Sequence, residues 1–225
     1  MLALAFCGTV VVYCVDRVRD LTRDAHTSPL RSAFVAQHRR ALLAAAALCA
    51  CGALVAGVLA GARVFAVAGA VAVFGFAHRR LKHLAWAKPL YLTGSWTAVT
   101  VGLPAAAASA PTGGSGTTLD FALLAFTLAI VSSTVQANVI LSNLRDAEGI
   151  AGRLGARRAR GLAAAFCAGA LALALLGPST VHALAALPFA MACAVAAFRP
   201  GERYGAIVVD GALLGGGILA SVALR

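Results

Sequence analysis

Ala41-Leu-Leu-Ala-Ala-Ala-Ala-Leu-Cys-Ala50-Cys-Gly-Ala-Leu-Val-Ala-Gly-Val-Leu-Ala60 runs for 20 residues without a charged, amide or hydroxyl side chain. Coiled into an α-helix, such a stretch is about 30 Å long, the thickness of the hydrocarbon layer of a bilayer. Arg39 and Arg40 stand directly before it and Arg63 shortly after it, so charge marks both ends. Further apolar runs lie near 1 to 15, 64 to 77, 89 to 110, 119 to 142, 161 to 177, 180 to 198 and 204 to 224. The run from 64 to 77 is short and reaches across only if Arg63 and His78 snorkel to the interface. Composition points the same way: 61% of the 225 residues are hydrophobic, 12% are charged, and the mean hydropathy is +0.88. A soluble domain carries about 25% charged residues, and this chain has too few to coat a water-facing surface. The expected architecture is an all-α integral membrane protein, one transmembrane domain over residues 1 to 225, with about eight helices.

The net charge of +11 would suggest nucleic acid if it were spread over a surface. It is instead concentrated between the apolar runs. The segments 16 to 40, 78 to 88, 143 to 160 and 199 to 203 hold 6, 4, 5 and 2 Lys and Arg, against only Arg63 and Arg225 on the opposite side. By the positive-inside rule these four segments are cytoplasmic, and nucleic acid is not an expected partner. Both termini then fall on the outer side, and only about 15 apolar residues follow Met1 before the first charge. An additional helix upstream is therefore expected. A secretory signal peptide fits poorly, because no basic segment precedes the run and no clear small-residue cleavage site follows it. The six cysteines lie in or at the edge of apolar runs with no C-x-x-C pair, which reads as small hydrophobes, not a disulfide framework or zinc site. Two glycine pairs, Gly57 with Gly61 and Gly211 with Gly215, have the spacing that permits close helix contact.

The acidic residues are few and clustered. In Asp16-Arg-Val-Arg-Asp20-Leu-Thr-Arg-Asp24 a carboxylate recurs every four residues, so a helix continuing from the first run would carry them on one face. Such a row offers hard oxygen ligands suited to Mg²⁺ together with a substrate phosphate. It is equally a solvated helix in which Asp16 pairs with Arg19 and Asp20 with Arg23 or Arg17, and spacing alone leaves both open. The second cluster is Asn143-Leu-Arg-Asp146-Ala-Glu148-Gly149. Ahead of it the same helix carries Ser132, Thr134, Gln136, Asn138 and Ser142, expected as a polar stripe running down one side toward Asn143 and Asp146. Polar groups at membrane depth are costly unless they face a cavity or a partner helix, so the stripe is either a site or an interhelical hydrogen-bond seam.

The pairing of an N-terminal Asp-rich segment with a later Asn-x-x-Asp-x-Glu-Gly segment, each following a helix, resembles the UbiA superfamily of intramembrane prenyltransferases. The spacing of the runs, and Lys88-Pro89 with Trp96 at the middle helix, extend the likeness over most of the chain. The resemblance implies nine helices around a central cavity, eight of them in this sequence. It also implies Mg²⁺ held by Asp16, Asp20, Asp24, Asp146 and Glu148, with Asp20, Asp24 and Asp146 as the catalytic set. Lys88, Arg145, Asn143, Asn138, Gln136 and Arg23 are the implied substrate contacts, with the other arginines of the segment 16 to 40 as further candidates for the diphosphate. A prenyl diphosphate would ionise at its allylic carbon, and an aromatic or other electron-rich acceptor would capture the cation, with the bilayer as the surrounding partner.

Two departures fall on the motifs themselves. Asp16 and Arg17 stand where the family has Asn and Asp, and Ile150 stands where its second motif has a further Asp. Arg17 places positive charge where a metal ligand would sit, so weakened metal binding is expected. The alternative is a non-enzymatic relative that binds a lipid or isoprenoid or carries a small solute through the same cavity. His26, His38, His78, His83 and His182 form no i, i+4 pair, and no nucleophile-elbow, Walker A or dinucleotide-binding glycine motif occurs in context.

Overall fold

A computed structural model describes residues 1–81, 87–109, 120–145, 149–199, 201 and 204–223, without the side chains of residues 23, 27, 77–81, 145, 149, 150 and 206. Every regular element among them is helical. In chain order these are α1 (Leu2–Arg19), α2 (Leu21–Thr27), α3 (Pro29–Gln37), α4 (Arg39–Leu59), α5 (Ala62–Leu81) and α6 (Ala87–Thr97). A π-helical segment (Ala98–Gly102) leads into α7 (Leu103–Ala108), followed by α8 (Phe121–Arg145) and α9 (Gly149–Leu176). A 3₁₀ segment (Ser179–Ala185), α10 (Ala186–Ala196), a second π segment (Gly205–Val209) and α11 (Asp210–Ala223) complete the chain.

Four helices among the described residues are long and apolar enough to cross a membrane: Arg39–Leu59, Phe121–Leu144, Ala151–Leu176 and Ser179–Ala196. Their surfaces agree, since Leu48, Leu59 and Leu176 are 75%, 82% and 87% exposed, an arrangement suited to lipid and costly in water. Ala62–Phe76 and Ile207–Ala223 are shorter apolar helices. The first run is helical but ends in Asp16, Arg17 and Arg19, and the run from 89 to 110 is divided by the π segment at Ala98–Gly102. The basic segment from 143 to 160, read from sequence as a connection, is helical over much of its length: α9 begins at Gly149 and is interrupted at Gly155 (φ 74°), a backbone conformation glycine adopts without strain.

The helices form two compact units, Met1–Ala77 with Ala98–Thr118, and His78–Thr97 with Leu119–Arg225. In the first, Leu4, Val64 and Leu103 centre a core lined by Ala53, Ala56, Val67 and Ala106. Small residues let α1 approach its neighbours: a Cβ added at Gly52 would stand 3.4 Å from Cys7 Sγ, and one at Gly75 would stand 3.3 Å from Val12. Gly61 (φ 95°) makes the turn from α4 to α5, and the Arg63 guanidinium donates to the Ser109 carbonyl.

In the second unit Ala137, Ile140 and Leu141 of α8 pack with Ala159, Ala163 and Cys167 of α9 and Met191 and Ala194 of α10. The predominance of alanine on α9 allows close approach without the hydrophobic driving force that water would supply. Arg160 donates to the Val195 and Ala196 carbonyls at 3.3 and 3.0 Å, satisfying groups that the end of α10 leaves open. The glycine that brings α11 against α10 is Gly216, where an added Cβ would lie 2.9 Å from Leu187 Cα and 3.0 Å from the Ala186 carbonyl oxygen. Gly211 and Gly215 have open space, as does Gly61, while a Cβ added at Gly57 would stand 3.0 Å from the Phe65 ring. Of the two pairs, only Gly57 therefore stands at a close contact.

Candidate functional site

The Asp-rich segment lies at the junction of three helices. α1 is interrupted at Asp20 (φ −95°, ψ 11°), yet the Asp20 amide donates to the Asp16 carbonyl at 2.9 Å and the Asp24 amide to the Asp20 carbonyl at 2.8 Å. The three aspartates thus keep the one-turn spacing expected of them, across a break in place of a single continuous helix. Arg17, in the last turn of α1, donates from Nη1 to Asp24 Oδ2 at 2.7 Å. Arg31, in the first turn of α3, donates from Nη2 to the same oxygen at 3.2 Å and to Ser28 Oγ at 2.9 Å. One carboxylate oxygen on α2 therefore ties together its own helix and both neighbours. The Arg17 guanidinium also lies 5.2 Å from the Tyr13 ring centre, within cation–π range. Burial works to lower the Arg17 pKa, but the hydrogen bond to Asp24 and the charges of Tyr13, Asp24 and Asp16 outweigh it and raise the pKa above its ordinary value. This arginine is charged at any accessible pH.

The polar atoms left without a hydrogen bond at this junction among the described residues include Arg17 Nε and the hydroxyl of Ser32, both buried. Ser32 is 6% exposed and lies one turn beyond Ser28 on α3, so Ser28, Arg31 and Ser32 share a helix face.

On α8 the polar residues do not form one stripe. Gln136 and Asn138 are two positions apart, about 200° of rotation, and they meet different helices. Thr93 of α6 donates to Gln136 Oε1 at 2.6 Å. Asn138 Nδ2 donates to the Val209 carbonyl at 3.1 Å and approaches Asp210 Oδ1 at 3.5 Å, where the π segment passes into α11. Thr134 and Ser132 turn their hydroxyls back onto the carbonyls of Ile130 and Ala129 in their own helix. Asn143, seven positions beyond Gln136 and so on nearly the same face, is 3% exposed, and its Nδ2 has no hydrogen-bond partner among the described residues.

The sequence-expected residues are thus distributed unevenly. Asp16, Asp20 and Asp24 belong to the first unit, and Lys88, Gln136, Asn138 and Asn143 to the second. Asp146 and Glu148 lie outside the described residues, as do the side chains of Arg23, Arg145 and Ile150. Sequence reading did not single out Ser32, Thr93 or Asp210, and it took in Arg31 only as one of the arginines of the segment 16 to 40. Arg31 carries a retrospective signal, since it stands seven residues after Asp24 just as Arg17 stands seven before it. Asp210, an ionisable group inside an apolar run, carries another.

Mg²⁺ takes carboxylate and phosphate oxygens in near-octahedral geometry. Asp24 Oδ2 already receives two guanidinium donors, which place two positive charges at the intended ligand. Among the described residues no three His, Cys, Asp or Glu side chains converge on a point that would hold a metal ion. The first motif as folded therefore does not fit a divalent cation by itself.

Fold and site together define, among the described residues, a helical protein with four helices long and apolar enough to cross a membrane and an arginine–aspartate junction at the end of its first helix. No protein-family model, curated protein or solved structure matches the chain.

Proposed function

We propose that this protein binds a prenyl diphosphate within a helical bundle in the membrane and transfers the prenyl group to an aromatic or other electron-rich acceptor. The bundle has eight spans around a central cavity, and its charged segments face the cytoplasm. The observation that supports this reading is the presence, in each of the two segments that carry the prenyltransferase resemblance, of a buried N–H donor without an acceptor among the described residues: Arg17 Nε and Asn143 Nδ2. Both groups can only donate, and a buried donor left unmade costs about 1–3 kcal/mol. A ligand that supplies acceptor oxygens recovers that cost. In the reaction the allylic carbon–oxygen bond breaks and the diphosphate departs with the electron pair. The acceptor's π electrons then form the new carbon–carbon bond, and the acceptor releases a proton. Arginine charge beside the departing diphosphate favours this ionisation, and apolar helices exclude water from the cation. Mg²⁺, which the resemblance implies, would require Asp24 to exchange its arginines for the ion, and no step here depends on it.

The second reading is a non-enzymatic isoprenoid or lipid carrier of the same fold. It is favoured by the ion pairs that occupy Asp24. Purified protein in phosphatidylcholine nanodiscs, titrated with labelled farnesyl and geranylgeranyl diphosphates with and without Mg²⁺, separates these readings. Binding with release of diphosphate and labelling of an extractable acceptor supports the transferase, and binding without turnover supports the carrier. Absence of binding under both conditions refutes both.

A further inference from the structure

We infer that Arg17, Arg31 and Ser32 form an oxyanion site that holds a diphosphate without a divalent metal, Asp24 being the internal counter-ion that the ligand displaces. The inference rests on the diphosphate-binding reading above and adds how that anion is held.

The chemistry follows from what each group at the junction has left to offer. Arg17 uses Nη1 on Asp24, while its Nε is buried and without an acceptor among the described residues. A guanidinium carries five N–H donors and no acceptor, so it is completed by acceptor oxygens, several of which a single phosphate group supplies. Ser32 adds a buried hydroxyl with no partner among the described residues, one turn from Ser28, which already accepts from Arg31. Arg17 and Arg31 share one carboxylate oxygen, and the whole segment 16 to 40 holds six arginines against three aspartates, so positive charge is in excess along it. Forked guanidinium donors match the spacing of phosphate oxygens in a way a single point charge does not. Both arginines converge on a single oxygen atom, Asp24 Oδ2, so a phosphate entering there meets two donors already directed at an anionic oxygen. A metal-ligand role for Asp24 predicts that its loss abolishes binding. A counter-ion role predicts the reverse, because removing the carboxylate takes away the acceptor that both arginines share.

The test uses full-length protein in phosphatidylcholine nanodiscs, with farnesyl diphosphate as ligand, in excess EDTA and in Mg²⁺. The expected result is binding in EDTA, weakened ~10- to 100-fold by Arg17→Gln, the range for loss of one charge-assisted hydrogen bond. Ser32→Ala should weaken it by a smaller factor, and Asp24→Asn should tighten it several-fold. Thermal melting of each variant confirms that it is folded; if Asp24→Asn unfolds, Arg17→Gln and Ser32→Ala decide the matter. A parallel titration in phosphatidylglycerol nanodiscs identifies the source of the phosphate. Competition that disappears in Arg17→Gln shows a lipid headgroup entering the same site, and an unchanged affinity assigns it to the diphosphate. Binding only in Mg²⁺ overturns the metal-free site and leaves the diphosphate reading standing, whereas no binding in either condition removes both. Wild-type affinity in folded Arg17→Gln, or abolished binding in folded Asp24→Asn, also overturns it.

Discussion

Substituting Gly216 and Gly215 separately by alanine tests whether helix contact or helix propensity governs the second unit. In a helix interior, Gly→Ala alone is favourable by about 0.8–1.0 kcal/mol. At Gly215 nothing lies within 4 Å of the added methyl, so that gain should be realised. At Gly216 the methyl would stand 2.9 Å from Leu187 Cα, 3.0 Å from the Ala186 carbonyl and 3.3 Å from Ala190 Cβ. Two of these three neighbours are backbone atoms, which cannot rotate away, so α10 and α11 must separate. Overpacking of this kind costs about 1–3 kcal/mol. The propensity gain is common to both variants, so they should differ by the overpacking cost, about 1–3 kcal/mol, and at roughly 2–4 °C per kcal/mol for a chain of this size that amounts to several degrees of melting temperature. Cys167 is buried in the core of the same unit, so in a background with the other five cysteines replaced by alanine the rate at which a thiol-reactive fluorophore labels it during heating reports unfolding there. Gly216→Ala melting at or above Gly215→Ala would refute the assignment of the close contact to Gly216.

Asn143→Leu should raise the melting temperature, by removing a buried donor that costs about 1–3 kcal/mol, while lowering affinity for farnesyl diphosphate; a variant both less stable and fully binding contradicts the role given to Asn143. A double-mutant cycle of Thr93→Val and Gln136→Leu should give a coupling of about 0.6 kcal/mol and no more than ~1.7, the range for hydrogen bonds between membrane helices; strict additivity in detergent unfolding would show that the 2.6 Å bond contributes nothing. Arg160→Met should destabilise by about 1–3 kcal/mol through two lost carbonyl partners, measured by the same thiol assay. Single cysteines introduced at residues 37 and 115 of a cysteine-free variant should label from opposite sides of sealed vesicles, the former from the cytoplasmic side; labelling of both from one side would refute the assigned orientation.

The sequence determined the helical class, the apolar runs of α4, α8, α9 and α10, and the one-turn spacing of Asp16, Asp20 and Asp24, because hydrophobicity and helix periodicity are local and accumulate along the chain. Which residues meet depends on rotation about each helix axis, and one position turns the face by about 100°. That single step separates Gly215, which touches nothing, from Gly216, which sets the distance between α10 and α11. Two steps separate Gln136, bonded to α6, from Asn138, bonded at the start of α11, and divide what reads in sequence as one polar stripe. Asp24 illustrates the same limit at the candidate site. Its spacing was legible as a row of carboxylates, but only the folding of α1 and α3 against α2 brings Arg17 and Arg31 onto one of its oxygens.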